Sequence, residues 1–158
     1  MKPSDLHFLG NKAILNVRKT AFLCSRKCPA EMIVKAYDWA IEQRKKGNCV
    51  MSCFHSQIEK DVFQILAKGK QPMILALARG MKKRWEPEIK TALGQNRLLI
   101  LSPFDASVKW ITSARAEIRN RLILELADEI RIAHAEKGGS LEALLPHFKN
   151  KNVIIGFD

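Results

Sequence analysis

The segment that most restricts the fold of this chain is Met73–Ala78, a run of six apolar residues with no polar side chain. A strand of this kind is covered on both faces, which is the environment of a central strand in a parallel sheet. Other short apolar segments alternate with segments of helical periodicity. The predicted strands are an edge strand at Ala13–Val17, then Thr20–Cys24, Cys49–Cys53, Met73–Ala78, Leu98–Leu101, Glu129–Ala133 and Val153–Gly156. This alternation predicts an α/β sandwich of three layers with a mainly parallel sheet.

Helices are predicted between these strands. The first begins at Pro29, has cations at Arg44–Lys46 in its last turn, and ends at Gly47. The others are predicted at Glu59–Lys68, Pro87–Gln95, Ser113–Ala127 and Leu141–Phe148. Because no linker or repeat interrupts the pattern, residues 1–158 are expected to form a single domain, with its core at about residues 20–145.

Charge restricts the partners of the chain more than it restricts the fold. Lys and Arg number 27 against 16 Asp and Glu, which gives a formal net charge of +11. A balance this basic favours polyanions such as nucleic acid or phosphorylated ligands. No apolar run has the length of a membrane span, and the amino terminus has no signal-peptide pattern, so we expect a cytoplasmic protein whose four cysteines are reduced.

A capping box marks the turn that follows the second full strand. Ser56 and Glu59 have the S-x-x-E spacing at the start of a helical pattern. The N–H groups and the dipole of such a helix terminus favour a bound anion. His55, Ser56 and Lys60 lie close to this terminus, although an ordinary strand-to-helix connection would give the same pattern.

Several other polar segments follow the carboxyl ends of predicted strands, where open parallel sheets bind their ligands. They are Ser25–Lys27, Ser52–Ser56, Ala78–Gly80, Ser102–Phe104 and Ala135–Ser140. Arg26, Arg119 and Arg121 are the preferred phosphate ligands, because a guanidinium presents two donors to two oxygens. Arg115 and Arg119 are four residues apart and share a helix face, whereas Arg121 points elsewhere.

Two further patterns admit more than one interpretation. Lys82–Trp85 and Lys109–Trp110 place cations next to an aromatic ring, which suits either stacking on unpaired bases or ordinary core packing. The cysteines lack the spacing of a zinc ribbon, but Cys24, Cys28, Cys53 and His55 would approach one another if the first two full strands are neighbours. Buried thiols are the preferred interpretation, and no metal is predicted.

Three of these segments occur in the order found in the DNA-processing protein A (DprA/Smf) family. They are Ser25-Arg26 after a strand, Ser52–His55 before a helix, and Arg119-Asn120-Arg121 on a helix that precedes a strand. The turn Gly138-Gly139-Ser140 also resembles a small-residue turn of that family. The resemblance covers about residues 20–145, and it implies an extended Rossmann-like domain that binds single-stranded DNA and often forms a dimer. The chain departs from the family at Ser52-Cys53-Phe54, where the family has glycines and where a Phe would crowd a phosphate.

The resemblance and the charge pattern together give a predicted ligand site. Its residues are Ser25, Arg26, Ser52, His55, Ser56, Arg119 and Arg121, with Gly138, Gly139 and Ser140 as a backbone cradle. The predicted ligand is single-stranded DNA or a nucleotide, with an implied role in DNA processing or uptake, no membrane partner and no cofactor.

Two alternatives remain open at this point. The turn at Gly138–Glu142 is also similar to that of the lysine-decarboxylase-like phosphoribohydrolases, which implies Glu142 as the catalytic residue if the chain is an enzyme acting on nucleoside monophosphates. The other alternative is a sensor that holds a nucleotide at the same edge of the sheet.

Overall fold

The computed structural model describes residues 5–157 and has a seven-stranded sheet at its centre. The strands are β1 (His7–Gly10), β2 (Lys19–Leu23), β3 (Cys49–Ser52), β4 (Met73–Ala76), β5 (Leu98–Ser102), β6 (Glu129–Ile132) and β7 (Asn152–Ile155). Their order across the sheet is β1-β5-β4-β3-β2-β6-β7. β1 pairs antiparallel with β5, and the other neighbouring strands pair in parallel. The predicted α/β fold with a mainly parallel sheet is therefore confirmed.

Helices cover both faces of this sheet. They are α1 (Ala30–Lys46), α2 (Gln57–Ala67), α3 (Pro87–Gly94), α4 (Ser113–Leu126) and α5 (Ser140–Leu144). The strand β2 is buried throughout, and its residues alternate between the faces: Ala21 packs in the core beneath α4 and α5, whereas Phe22 stacks on Trp39 of α1 with the ring centroids 5.1 Å apart. The apolar strands thus require two cores, one on each side of the sheet.

The prediction of an edge strand at Ala13–Val17 was wrong. A 3₁₀ helix at Lys12–Asn16 occupies this segment, and the side chain of Asn11 caps it by accepting a hydrogen bond from the N–H of Ala13. The edge strand is β1, which precedes it. A short apolar run has no periodicity that distinguishes a strand from a helical turn, and the polar cap decided the outcome here.

The last predicted helix, Leu141–Phe148, was correct only in its first half. Helix α5 ends at Leu144, and a 3₁₀ helix continues to Phe148. Pro146 lies within this second segment, and its lack of an N–H interrupts the hydrogen bonding of an α-helix. Within residues 5–157, no helix combines the length and the apolarity needed to cross a bilayer.

The strand order places its reversal next to β2. β3, β4 and β5 lie in succession on one side of β2, whereas β6 and β7 lie on the other side. β2 and β3 are direct neighbours. In open α/β sheets, ligands bind beyond the carboxyl ends of the strands near such a reversal.

Candidate functional site

The loop after β3 is organised by the buried carboxylate of Glu59. Its Oε1 accepts hydrogen bonds from the N–H groups of Ser56 (2.9 Å) and His55 (3.1 Å) and from the thiol of Cys53 (3.2 Å). Its Oε2 accepts from the N–H of Cys24 at 3.2 Å, so one side chain connects the ends of β2 and β3. The Ser56 hydroxyl accepts from the Glu59 N–H, which completes the predicted capping box. The N–H groups of Ser56 and Glu59 are thus engaged within the protein.

Hydrogen bonds connect the loops after β2 and β6, where the strand order reverses. The Ser25 N–H donates to the His134 carbonyl oxygen, and the Ser25 hydroxyl accepts from the Glu136 N–H, both at 2.8 Å. The hydroxyl of Ser25 therefore positions the loop after β6. These contacts connect the two loops across the point where the strand order reverses.

The predicted backbone cradle lies in the loop after β6. The Gly138 N–H donates to a carboxylate oxygen of Glu142 at 3.0 Å, and the Gly139 N–H donates to the Glu136 carbonyl oxygen at 2.9 Å. Ser140 is exposed and begins α5. Both glycine N–H groups thus have acceptors within the loop, and the Glu142 side chain is exposed and holds the turn together.

A cleft of about 430 Å³ opens beyond the carboxyl ends of β3 and β4. Its walls combine apolar and cationic side chains from α2, from α3 and the segment before it, and from α4 and the segment before it. The principal lining residues are Phe54, His55, Lys60, Phe63, Leu75, Leu77, Arg79, Lys82, Trp85, Ile89, Ile111 and Arg119. A volume of this size and an apolar wall with a few polar groups are typical of small-molecule sites.

Cations from three parts of the chain act on the pKa of His55. Burial lowers the pKa of His55 from its ordinary value, and the charges of Arg119, Lys60 and Arg26 lower this pKa further, against the opposing effect of Glu59. Such an effect requires these charges to lie near the imidazole. Of these cations, Lys60 from α2 and Arg119 from α4 line the cleft together with His55.

Arg119 is the most deeply buried of these cations, with 5% of its surface exposed. Its guanidinium donates two hydrogen bonds to the Oδ1 of Asn120, at 3.2 and 3.1 Å. Among residues 5–157, no carboxylate lies within ion-pair distance of Arg119. A buried guanidinium without a carboxylate partner is suited to an external anion.

The other arginines of α4 are placed differently. Arg115 donates from Nη1 to the Trp110 carbonyl oxygen at 2.7 Å and thereby holds the segment before the helix. Arg121 is partly exposed and does not line the cleft. Arg119 is therefore the arginine of this helix that faces the cleft.

Phe54 occupies a backbone conformation that usually belongs to glycine. Its φ is +46°, in the left-handed region, and its ring packs edge-on against Phe63 with centroids 5.0 Å apart. The fully buried hydroxyl of Ser52 accepts from the Phe54 N–H at 3.2 Å and supports this turn. The turn thus keeps a glycine-like backbone but adds an aromatic wall to the cleft. Strain of this kind is found at binding sites.

The two cation–aromatic segments differ in exposure. Trp85 is partly buried in the cleft wall, and Lys82 lies over its ring at 5.2 Å while pairing with Glu86 at 2.9 Å. Trp110 is 78% exposed, so core packing does not account for it. An exposed indole next to a basic cleft is suited to stacking on an unpaired base.

The cysteines are structural in this arrangement. Burial raises the pKa of the Cys24 and Cys53 thiols, which keeps both of them protonated at neutral pH. All four cysteines are free thiols. In the part of the chain that the structure describes, no group of three or more His, Cys, Asp or Glu side chains is arranged to hold a metal ion.

Sequence reasoning found only part of this cleft. Of the predicted site residues, His55 and Arg119 line the cleft. Arg79 and Lys60 also line it, but the sequence had placed Arg79 only among the residues that follow strand ends and Lys60 only near the start of a helix. The available signal for Arg79 was its position directly after a buried strand. The second role of Glu59, at the Cys24 N–H, had no local signal because the two residues are far apart in sequence.

Comparison with known proteins gives a match of fold. No protein-family model matches the sequence, and no curated protein matches it. The structure superimposes on DNA processing protein A from Helicobacter pylori, described as a single-stranded DNA-binding protein, with a TM-score of 0.76, 18% identity, and coverage of 95% of this chain and 70% of that chain. For DNA processing protein A from Streptococcus pneumoniae, the TM-score is 0.75, the identity is 18%, and 95% of this chain and 54% of that chain are covered.

A more distant similarity exists to the molybdenum cofactor binding protein from Rippkaea orientalis. The TM-score is 0.58 at 13% identity, over 87% of this chain and 75% of that chain. The chain spans about half the length of the Streptococcus pneumoniae protein. The chain therefore has the Rossmann-like fold of DNA processing protein A, which it shares more distantly with molybdenum cofactor carriers.

Proposed function

We propose that this chain binds single-stranded DNA, through the cleft at the carboxyl ends of β3 and β4. The observation that carries the proposal is Arg119, which lines the cleft together with Lys60, is buried, and has no carboxylate partner among residues 5–157. Positive charges held in this way bind a phosphate with little reorganisation, because the protein has already desolvated the guanidinium.

The walls of the cleft supply the second half of the interaction. Phe54, Trp85 and Ile111 offer apolar surface within reach of the cations. A nucleotide has the matching composition, an anionic phosphate joined to a flat base. Stacking between a base and an aromatic ring contributes about 1–3 kcal/mol per base and tolerates any sequence.

The exposed Trp110 favours a strand over a single nucleotide. It lies next to Ile111, which lines the cleft, so a strand that leaves the cleft can pass over its ring. The formal net charge of +11 favours a polyanion in the same way. The similarity in fold to DNA processing protein A supports a role in DNA processing or uptake. A homodimer, a single-domain organisation and a cytoplasmic location belong to this proposal on the resemblance and the sequence pattern alone.

Salt-dependent binding of oligothymidylate tests the proposal. Fluorescence anisotropy of a labelled oligonucleotide is measured over a series of salt concentrations. The logarithm of the association constant is expected to fall with the logarithm of salt, with a slope of about −0.7 for each neutralised phosphate. Duplex DNA of equal length is expected to bind more weakly, because its bases are not free to stack. An affinity that does not change with salt rejects the nucleic-acid proposal.

A nucleotide sensor is the second candidate, favoured by the volume of the cleft. Its volume of about 430 Å³ is in the range of small-molecule sites. Native mass spectrometry of the purified protein distinguishes the two candidates, because a sensor retains a nucleotide through purification. Competition gives a second distinction: a free mononucleotide displaces the oligonucleotide at equal concentration only if the strand adds no contacts outside the cleft.

The phosphoribohydrolase alternative requires Glu142 next to the bound nucleotide. This carboxylate is exposed and accepts from the Gly138 N–H in the loop after β6, and it does not line the cleft. Incubation with AMP, followed by chromatography for free adenine, is expected to give the same trace for the wild type and for Glu142→Gln.

A further inference from the structure

We infer that the protein has a second binding site, for a small oxyanion such as a phosphate or a carboxylate, at the opposite edge of the sheet. This edge contains a cavity of about 270 Å³ beside the carboxyl-terminal half of α1. Its lining comes from α1 and from the amino-terminal ends of β2, β3 and β6. The residues are Arg18, Thr20, Trp39, Glu42, Gln43, Lys46, Asn48, Cys49, Glu129 and Arg131.

The guanidinium of Arg131 is fixed in this cavity. Its Nη1 donates to the Gly156 carbonyl oxygen at 2.8 Å, and the Phe157 ring lies 5.6 Å from its Cζ. Only 16% of the side chain is exposed. These contacts hold the guanidinium in place and leave it little freedom to rotate.

One edge of this guanidinium lacks a hydrogen-bond acceptor in the part of the chain that the structure describes. The Nε of Arg131 is buried and has no hydrogen-bond acceptor among residues 5–157. The neighbouring Nη2 lies 4.0 Å from the nearer carboxylate oxygen of Glu129, which is beyond hydrogen-bond distance. Nε and Nη2 form the pair of parallel donors that matches two oxygens of one carboxylate or phosphate. A buried N–H without an acceptor is rare in folded proteins.

The charges around the cavity also favour an anion. Glu129 pairs with Arg18 at 3.5 Å, and Glu42 pairs with Lys46 at 2.7 Å. The lining therefore has three cations and two carboxylates, an excess of one positive charge, and Glu129 is shared between Arg18 and Arg131. One monovalent oxyanion balances this charge. The cavity is smaller than the cleft, and it is lined mainly by polar groups, which suits a compact ligand rather than a nucleic-acid strand.

The signal of the Arg131 Nε–H in ¹H–¹⁵N NMR spectra provides a direct test. The protein is titrated with inorganic phosphate and, separately, with acetate, at constant ionic strength. A saturable shift of the Arg131 signal at millimolar concentrations is expected with at least one of them, and the two titrations distinguish a phosphate ligand from a carboxylate ligand. Arg131→Lys keeps the charge but loses the parallel donors, so its affinity, measured on neighbouring amide signals, is expected to be about tenfold lower. Lys45→Gln, which removes an exposed charge of α1 that does not line the cavity, is expected to have no effect.

Two further variants test where the anion binds and whether the chain supplies its own acceptor. Arg119→Gln removes a ligand of the cleft, and the Arg131 signal is expected to shift in this variant as it does in the wild type. Asp158, which lies outside the described residues, is the nearest acidic residue in sequence to Phe157. If either anion shifts the signal only in Asp158→Asn, the chain supplies its own carboxylate and the inference is overturned. Absence of a saturable shift with both anions also overturns it.

Discussion

Replacement of Arg119 by Gln is the most direct test of the cleft. The side chain is 5% exposed and its two intramolecular hydrogen bonds go to a neutral amide, so most of its charge is available to a ligand. A hydrogen bond to a charged group contributes about 1.5–3 kcal/mol, which corresponds to a loss of affinity of about 10- to 150-fold. The slope of log K against log salt is expected to become less steep by about 0.7, because one phosphate contact is lost.

The matched control is Lys45→Gln, which removes the same charge from an exposed position at the end of α1. At physiological ionic strength the Debye length is about 8 Å, so a distant surface charge has little effect on the bound phosphate. Arg119→Lys is a second control, because it keeps the charge and loses the parallel donors; it is expected to keep the salt slope but bind less tightly. Thermal unfolding verifies that each variant is folded. Equal losses in Arg119→Gln and Lys45→Gln would refute the reasoning, since net charge alone would then explain the binding.

Three further predictions concern pH and stability. The lowered pKa keeps His55 neutral at pH 7, whereas a bound phosphate favours the protonated imidazole, so the affinity for the oligonucleotide is expected to rise as the pH falls through this pKa. Fluorescence anisotropy is expected to show that His55→Asn loses this rise in affinity. An identical pH profile in the variant and the wild type would contradict the reasoning. Arg97→Met removes three hydrogen bonds of 2.9 Å, to the carbonyl oxygens of Leu66 and Ala67 at the end of α2 and of Gln71 after it. Urea denaturation is expected to show a loss of about 3 kcal/mol in the free energy of unfolding, and a change below about 1 kcal/mol would contradict a structural role. Phe54→Gly relieves the positive φ but loses the contact with Phe63, and the free energy of unfolding is expected to fall by about 2–4 kcal/mol; greater stability would mean that backbone strain outweighs packing.

Most strands and helices could be predicted from the sequence, because each depends on a pattern of neighbouring residues. Met73–Ala78 predicted a buried central strand, and β4 is fully buried at Met73–Ala76. The capping box at Ser56 and Glu59 marked the start of α2 within two residues. Where the local signal was short and ambiguous, as at Ala13–Val17, the prediction was wrong, because the choice between strand and 3₁₀ helix depended on the cap at Asn11.

The sequence predicted the residue types of the site but not their arrangement in space. Sequence reasoning identified the arginines and the loop at His55, but it treated the strand ends as one continuous edge. In the structure the Ser25 hydroxyl accepts a hydrogen bond from the loop after β6, and the Gly138 N–H already has an acceptor. Among the described residues, the open cleft lies instead between α2 and the segment before α3, where Phe54 and Trp85 form its walls.

The sequence alone determined the alternation of strands and helices, the basic charge and the residue types able to hold a phosphate, since hydrophobic period, capping and composition are properties of neighbouring residues. Tertiary structure decided which of these residues meet. Arg119 lines the same cleft as His55, more than sixty positions away in the sequence, only because α4 packs on the sheet with that face inward, and a different rotation of the helix about its axis would have placed Arg121 there instead. Strand order and helix rotation depend on contacts between distant segments, and no local pattern encodes them.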